Sequence, residues 1–335
     1  MSGFKIKQST YIFAVIFGLI ITGAAYRVAV KPKPHPPLII STTTSLYETG
    51  LLDVLKERFE VDYPDTTILF VSQGTGLAIE TAKRGDADMI MVHSPGQELG
   101  FMESGHGVNR KIIAYNFFII VGPESDPAGI LGMNPIDALL KVQEEGVNRD
   151  ALWVSRGDNS GTHSKEKSLW KSTGLDLEEL KVQPGGDEGR HWYIEAGAGM
   201  TATLQLANEK GAYTLTDVAT YLKNYGNGNI ELVKIVNSGE ETLNVYSAIL
   251  CNPKVNEMTN YVDAEDFLHY LLTDDVQELM AGYGIDEFGS TLFKPWMPEL
   301  ETPGSEFVKW VEEYAYYDGN ECPEEFRYQS GDLYG

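Results

Sequence analysis

The sequence predicts an α/β protein of two lobes, the first interrupted by the second, with a cleft between them. Three observations predict it. Short β-branched or aliphatic runs alternate with helical spacings, turns rich in hydroxyl residues and glycine follow those runs, and a late apolar segment over residues 245–250 can return the chain to the first lobe.

The elements follow in order. Leu38-Ile39-Ile40 is a short strand that leads into Ser41-Thr42-Thr43-Thr44-Ser45. Leu51, Leu52, Leu55 and Phe59 then repeat at helical spacing. Residues 66–71 form a second strand, followed by Ser72-Gln73-Gly74-Thr75-Gly76 and a helix ending near Gly85. Residues 87–92 form a third strand that stops at His93-Ser94. A second unit begins near Gly122-Pro123. Residues 148–154 read as its strand, leading into Ser155-Arg156-Gly157-Asp158-Asn159-Ser160-Gly161-Thr162-His163 and a helix through Trp170. Gly197-Ala198-Gly199-Met200 opens a helix over residues 201–210, and Tyr213-Thr214-Leu215 precedes a helix start at Thr216-Asp217. The boundaries expected are residues 38–121 with 245–297 for lobe one and 122–244 for lobe two. Trp153, Trp170 and Trp192 read as core.

Composition sets outer limits. The 335 residues, 42% hydrophobic and 22% charged, belong to an ordinary globular protein with room for a large core. Asp and Glu number 49 against 26 Lys and Arg, a net charge of -23, which repels phosphate backbones and excludes nucleic acid as a partner. Only Cys251 and Cys322 are present, too few for a four-cysteine metal site. They either pair or lie as two buried thiols. His35, His93, His106, His163, His191 and His269 lack metal-ligand spacing, so no metal and no cofactor is expected. His93, at a strand end, is either a cleft residue or a satisfied core histidine.

Both ends of the chain carry their own signals. Lys5 and Lys7 precede an uncharged apolar run over residues 11–26, so residues 1–29 read as a signal peptide or an N-terminal membrane anchor. The protein is therefore expected outside the cytoplasm, cleaved free or tethered by residues 8–29. Residues 30–37, rich in proline, form an extended tether. Residues 298–335 form an acidic extension in which Phe307, Trp310, Val311 and Tyr314 share one helix face behind a Ser305 cap; this amphipathic helix should dock on the body.

The chemistry resides in the turns. Thr43, Thr44 and Ser45 stand at a strand end before a helix, where hydroxyls and free backbone N–H groups all donate and the helix dipole adds partial positive charge. Gly74-Thr75-Gly76 repeats the device. Arg156 supplies a planar guanidinium fork suited to tetrahedral oxyanions, beside Ser160, Gly161 and Thr162. Such turns converging on one cleft make an anion site built mainly from neutral donors. Lys165 and Glu166 read as a solvated pair on the following helix.

These same residues carry a resemblance. Thr42-Thr43-Thr44-Ser45, Gly74-Thr75-Gly76, Gly85-Asp86-Ala87-Asp88 and Gly107-Val108-Asn109-Arg110 occur in that order. Val121-Gly122-Pro123, the Ser155 to His163 turn, Tyr213-Thr214-Leu215-Thr216-Asp217 and Leu292-Phe293-Lys294-Pro295 follow. From Leu38 to Pro295 the chain resembles the tungstate-binding proteins that serve ABC importers. The resemblance implies a type II periplasmic-binding-protein fold, capture of tungstate in the cleft, and delivery to an ABC permease by a monomeric receptor. By matching position it implies ligand contacts at Thr43, Ser45, Arg156 and Thr162, then at Thr44, Thr75, Ser94, Ser160 and Gly161. The Thr201-Ala202-Thr203 stretch and the acidic extension depart from the family pattern.

Phosphate is the runner-up, with molybdate nearly isosteric to tungstate. The Arg156-x-Asp158-x-Ser160-Gly161-Thr162 spacing is similar to that of phosphate-binding proteins, where an aspartate accepts the proton of a protonated phosphate. Tungstate carries no proton near neutral pH, so a donors-only cleft selects it. Asp158 is therefore expected to turn from the ligand and to orient Arg156 or a backbone amide. Gly157-Asp158-Asn159-Ser160-Gly161 is also similar to the turn around a nucleophilic serine. His163, on that same turn, is too near in sequence to serve as a well-aimed base, so a hydrolase is disfavoured and no catalytic residue is assigned.

Overall fold

In the computed structural model the residues described are 35–148, 151–185, 190–237 and 239–334. The leader over residues 1–29 and most of the proline-rich tether lie outside them. Strands β1 (Leu38–Thr43), β2 (Ile68–Gln73) and β3 (Met89–Val92) are parallel, with β1 between the other two. Each is short, and β1 and β3 are almost wholly buried, as a parallel sheet covered by helices requires. Helices α1 (Thr44–Glu48), α2 (Leu51–Asp62), α3 (Thr75–Lys83) and α4 (Pro95–Glu103) follow the strand ends. The spacing of Leu51, Leu52, Leu55 and Phe59 puts all four on the buried face of α2.

Strand β4 (Gly107–Gly122) then runs unbroken from one half of the molecule into the other. The second half contains α5 (Pro135–Asn148), β5 (Trp153–Ser155), α6 (Gly161–Ser172), β6 (Tyr193–Glu195), α7 (Met200–Lys210), β7 (Thr214–Asp217), α8 (Val218–Gly226) and β8 (Val233–Val236). The chain returns through β9 (Leu243–Cys251), antiparallel to both β3 and β4. The sheet order is β8-β4-β9-β3-β1-β2. Pairing changes partner along β4: Gly107 to Phe117 face β9, whereas Phe118 to Val121 face β7. One strand thus joins two cores, the first around Leu52, Phe59 and Phe267, the second around Trp153, Trp170 and Trp192.

The strand expected over residues 148–154 is shorter than the sequence implied. Asn148 still belongs to α5, whose buried Ala138, Leu139 and Val142 carry the helical period onward; residues 149–150 lie outside the described set, and the strand is Trp153–Ser155.

Helices α9 (Tyr261–Leu271) and α10 (Asp274–Gly282) complete the first core. The C-terminal segment then wraps the same half. Ser305 caps α11 (Glu306–Ala315), accepting from Phe307 N at 3.2 Å, and Val311 and Ala315 pack beside Tyr115 and Val245. Glu321 accepts from Lys111 Nζ at 2.6 Å and from the Ile112 amide, while its carbonyl accepts from Arg110 at 2.8 Å. Cys251 and Cys322 are free, buried thiols in one apolar cluster.

Candidate functional site

The carboxyl ends of β1, β3 and β5 bring the hydroxyl-bearing turns together. Thr43 caps α1, its Oγ1 accepting from Leu46 N at 3.2 Å. That oxygen lies 3.3 Å from Ser45 Oγ, which in turn lies 3.1 Å from His93 Nε2. A chain of amides fixes the direction of this last bond. Asn116 Nδ2 donates to the Leu292 carbonyl, so its Oδ1 must accept from Asn244 Nδ2 at 2.8 Å. Asn244 Oδ1 then faces His93 Nδ1 at 2.8 Å, which must carry the proton. His93 Nε2 is left as an acceptor, and the Ser45 hydroxyl donates to it. Complete burial pushes the imidazole down to about 4, with the nearby Arg156 charge adding to the effect, so His93 is neutral.

Arg156, at the end of β5, is 2% exposed and makes two bonds of different purpose. Its Nε donates to Asp158 Oδ2 at 2.9 Å, and one terminal nitrogen donates to Thr44 Oγ1 at 2.6 Å, linking the second half of the molecule to α1. Asp158 Oδ1 accepts from Ser160 N at 3.1 Å, so both carboxylate oxygens are engaged by protein. A second carboxylate whose field reaches Arg156, Asp217, is likewise committed, to the Thr220 amide and hydroxyl. Ser160 caps α6, accepting from His163 N at 3.2 Å.

Among the buried polar atoms that have no protein partner, three are donors on these turns: Thr75 Oγ1, Arg156 Nη1 and Thr162 Oγ1. They come from two turns, the one after β2 and the one that joins β5 to α6. The turns face one another closely. A Cβ on Gly161 would lie 2.9 Å from the His93 ring, and one on Gly74 would lie 3.6 Å from the Asp158 carbonyl. Only glycine admits the first approach without moving the ring. A Cβ on Gly199 would fall 4.0 Å from Thr44 Oγ1, and Thr201 Oγ1 donates to Glu48 Oε2 at 2.7 Å, so the α7 turn also meets α1.

Other residues singled out in the sequence lie differently. Ser94 Oγ accepts from Gln97 Nε2 at 3.2 Å. Lys165 and Glu166 are not a solvated pair: they are 6% and 1% exposed and do not bond each other. Glu166 instead points into the core, accepting from Trp153 Nε1, Ser155 Oγ and Tyr193 Oη. A helix one turn in from its cap buries whichever face meets the sheet, and here that face carries the charges. His163 Nδ1 accepts from Asn159 N, so this nitrogen is not available to Ser160. Sequence reasoning missed Asn116 and Asn244. They lie 128 residues apart and carry no local motif; their only signal is polarity inside otherwise apolar strands.

Among the described residues no group of three or more His, Cys, Asp or Glu is placed to hold a metal ion, and no helix is long and apolar enough to cross a membrane. What these buried groups can do chemically is donate hydrogen bonds, from two hydroxyls and one guanidinium.

Residues 30–275 match the PBP superfamily domain. The chain is 37% identical over 268 residues to the tungstate-binding protein TupA of Peptoclostridium acidaminophilum, covering 79% of this chain and 87% of that one. It is 40% identical over 288 residues to an ABC transporter anion-binding protein of Haloferax volcanii, covering 85% and 78%. Among solved structures it is similar to TupA from Desulfovibrio alaskensis, at 36% identity and a TM-score of 0.64, covering 78% of this chain and 99% of that one. The fold is the two-lobe type II periplasmic-binding fold, and the chain belongs to the PBP superfamily as a member of the tungstate-binding TupA family.

Proposed function

We infer that this protein is the extracytoplasmic substrate-binding component of an ABC importer, and that it captures tungstate between its lobes for delivery to a membrane permease. One observation carries the reading: on the turns after β2 and β5, Thr75 Oγ1, Arg156 Nη1 and Thr162 Oγ1 are buried donors without a protein partner. Both carboxylates close to Arg156 are already engaged. The cleft therefore offers donors and no open carboxylate, which suits a proton-free dianion and leaves the hydroxyl of a protonated phosphate unpaired. Thr75, Arg156 and Thr162 are assigned the direct contacts, with Thr43, Thr44, Ser45, Ser160 and Gly161 shaping the same wall. Molybdate, of nearly equal size, is expected to compete.

We take lobe one as residues 38–121 and 245–297, lobe two as 122–244, and residues 298–335 as an extension carried by lobe one. Closure excludes water, so each neutral donor and the guanidinium act together in a medium of low dielectric constant. The closed shape is what the permease would read. The leader over residues 1–29 would export or tether the chain.

A second reading has one observation in its favour. Ser45, His93 and Asn244 are connected as nucleophile, base and orienting amide in an acyl-transfer triad. Ser45 is 1% exposed, however, and its Oγ also lies 3.3 Å from Thr43 Oγ1. No catalysed reaction is assigned. Calorimetric titration of the full chain with tungstate, molybdate, sulfate and phosphate, alongside an ester-hydrolysis assay, tests the assignment. Tight tungstate and molybdate binding with no hydrolysis is expected. Preference for phosphate, or turnover of ester lost in Ser45→Ala, would overturn it.

A further inference from the structure

A pocket of about 310 Å³ adjoins the His93–Gly161 contact. Lobe one supplies Ser94 and Gln97 from the start of α4, lobe two supplies Ser164, Lys165 and Ser168 from α6, and the C-terminal helix contributes Tyr314. Lys165 is its only charged lining residue and is 6% exposed. Its Nζ lies 4.0 Å over the Tyr314 ring, and it makes no hydrogen bond or ion pair within the described residues.

The carboxylates of Glu98 and Glu166 are committed elsewhere. Glu98 accepts from Ser94 N and Arg110 Nε, and Glu166 is held by Trp153, Ser155 and Tyr193. Burial pushes the Lys165 ammonium down to about 7, against a weak opposing pull from Glu241. A buried ammonium with no anion is costly, and an aromatic face satisfies one side of it only. In a chain of net charge -23 such an unpaired cation is conspicuous.

We propose that this pocket is a second anion site, taking a halide-sized monoanion on the Lys165 ammonium with the hydroxyls of Ser94, Ser164 and Ser168 around it. A single ammonium without a guanidinium fork matches one negative charge, which separates this site from the oxyanion cleft. Both lobes and the C-terminal helix wall the pocket, so its occupant bridges them. The inference stands independently of the tungstate reading, because occupancy is read with no oxyanion present.

The test is a bromide soak of crystals of the full chain at about 0.15 M, read by anomalous scattering in the parent and in Lys165→Met. A peak against Nζ that Lys165→Met loses is the expected result. No peak in the parent, or one that persists in the variant as an adventitious ion only, overturns the proposal. Ser168→Val, at the exposed rim, guards against a variant that does not fold. It should raise the half-saturating bromide concentration several-fold in a bromide line-width titration, and an unchanged value would contradict the site.

Discussion

Arg156 Nε donates to Asp158 Oδ2 at 2.9 Å, and this side-on grip turns one terminal nitrogen toward Thr44 and leaves Nη1 unpartnered. Asp158 therefore acts on the guanidinium and on the Ser160 amide. In Asp158→Asn a single carbonyl oxygen must replace two carboxylate acceptors. A bond to a charged group contributes about 1.5–3 kcal/mol, so tungstate affinity should fall roughly 10- to 100-fold. Phosphate binding should remain negligible in parent and variant alike. Calorimetry checks both, and a parent that binds phosphate through Asp158 would show the ligand to be wrongly chosen.

Thr75 and Thr162 offer a cleaner separation of folding from binding. Their hydroxyls bond nothing in the protein, and both residues are fully buried. Valine keeps the shape and removes the donor. Thr75→Val and Thr162→Val should each leave ligand-free thermal stability unchanged or raised, while weakening tungstate binding by about 1–3 kcal/mol. Parallel melting and titration experiments measure the two effects.

How far this could be read from the sequence depends on range. The turns at Thr43–Ser45, at Thr75 and at Arg156–Thr162 declared themselves because hydroxyls and glycines after a β-branched run are a local pattern. Strand β9 was legible as an apolar run, and the tryptophans as core. The amides behind His93 were not, since Asn116 and Asn244 meet only when β4 and β9 pair. Lys165 and Glu166 misled for a related reason: charge predicts exposure unless a tertiary partner such as the Glu166 cluster of Trp153, Ser155 and Tyr193 overrides it.

His93 makes a prediction about acid stability. Its protonation is pushed from an ordinary 6.5 to about 4 in the folded state, so the unfolded chain takes up the proton first. The stabilisation from neutral His93 is present above the ordinary value and is lost as pH falls toward about 4. Between pH 7 and pH 5 the parent should lose about 2 kcal/mol more than His93→Gln does. Urea unfolding of both at the two pH values checks the difference; equal losses would show that His93 is not held neutral.

Glu321 ties the C-terminal segment to lobe one through Lys111 and the Ile112 amide, in a pair whose side chains are 8% and 6% exposed. Removing one member of a buried pair leaves the other uncompensated. Glu321→Gln should therefore cost about 3–5 kcal/mol of stability, with little change in oxyanion selectivity. Chemical denaturation gives the first quantity and calorimetry the second.

Buried donors from two turns, those at Thr75 and at Arg156–Thr162, are proposed to enclose a proton-free tetrahedral anion. A crystal structure of the full chain grown with tungstate tests it most directly, because tungsten scatters anomalously and locates itself. One strong peak is expected between the lobes, with Thr75 Oγ1, Arg156 Nη1 and Thr162 Oγ1 all within hydrogen-bonding distance of its oxygens. A peak elsewhere, or a cleft left without tungsten while those three atoms remain unpartnered, would contradict it.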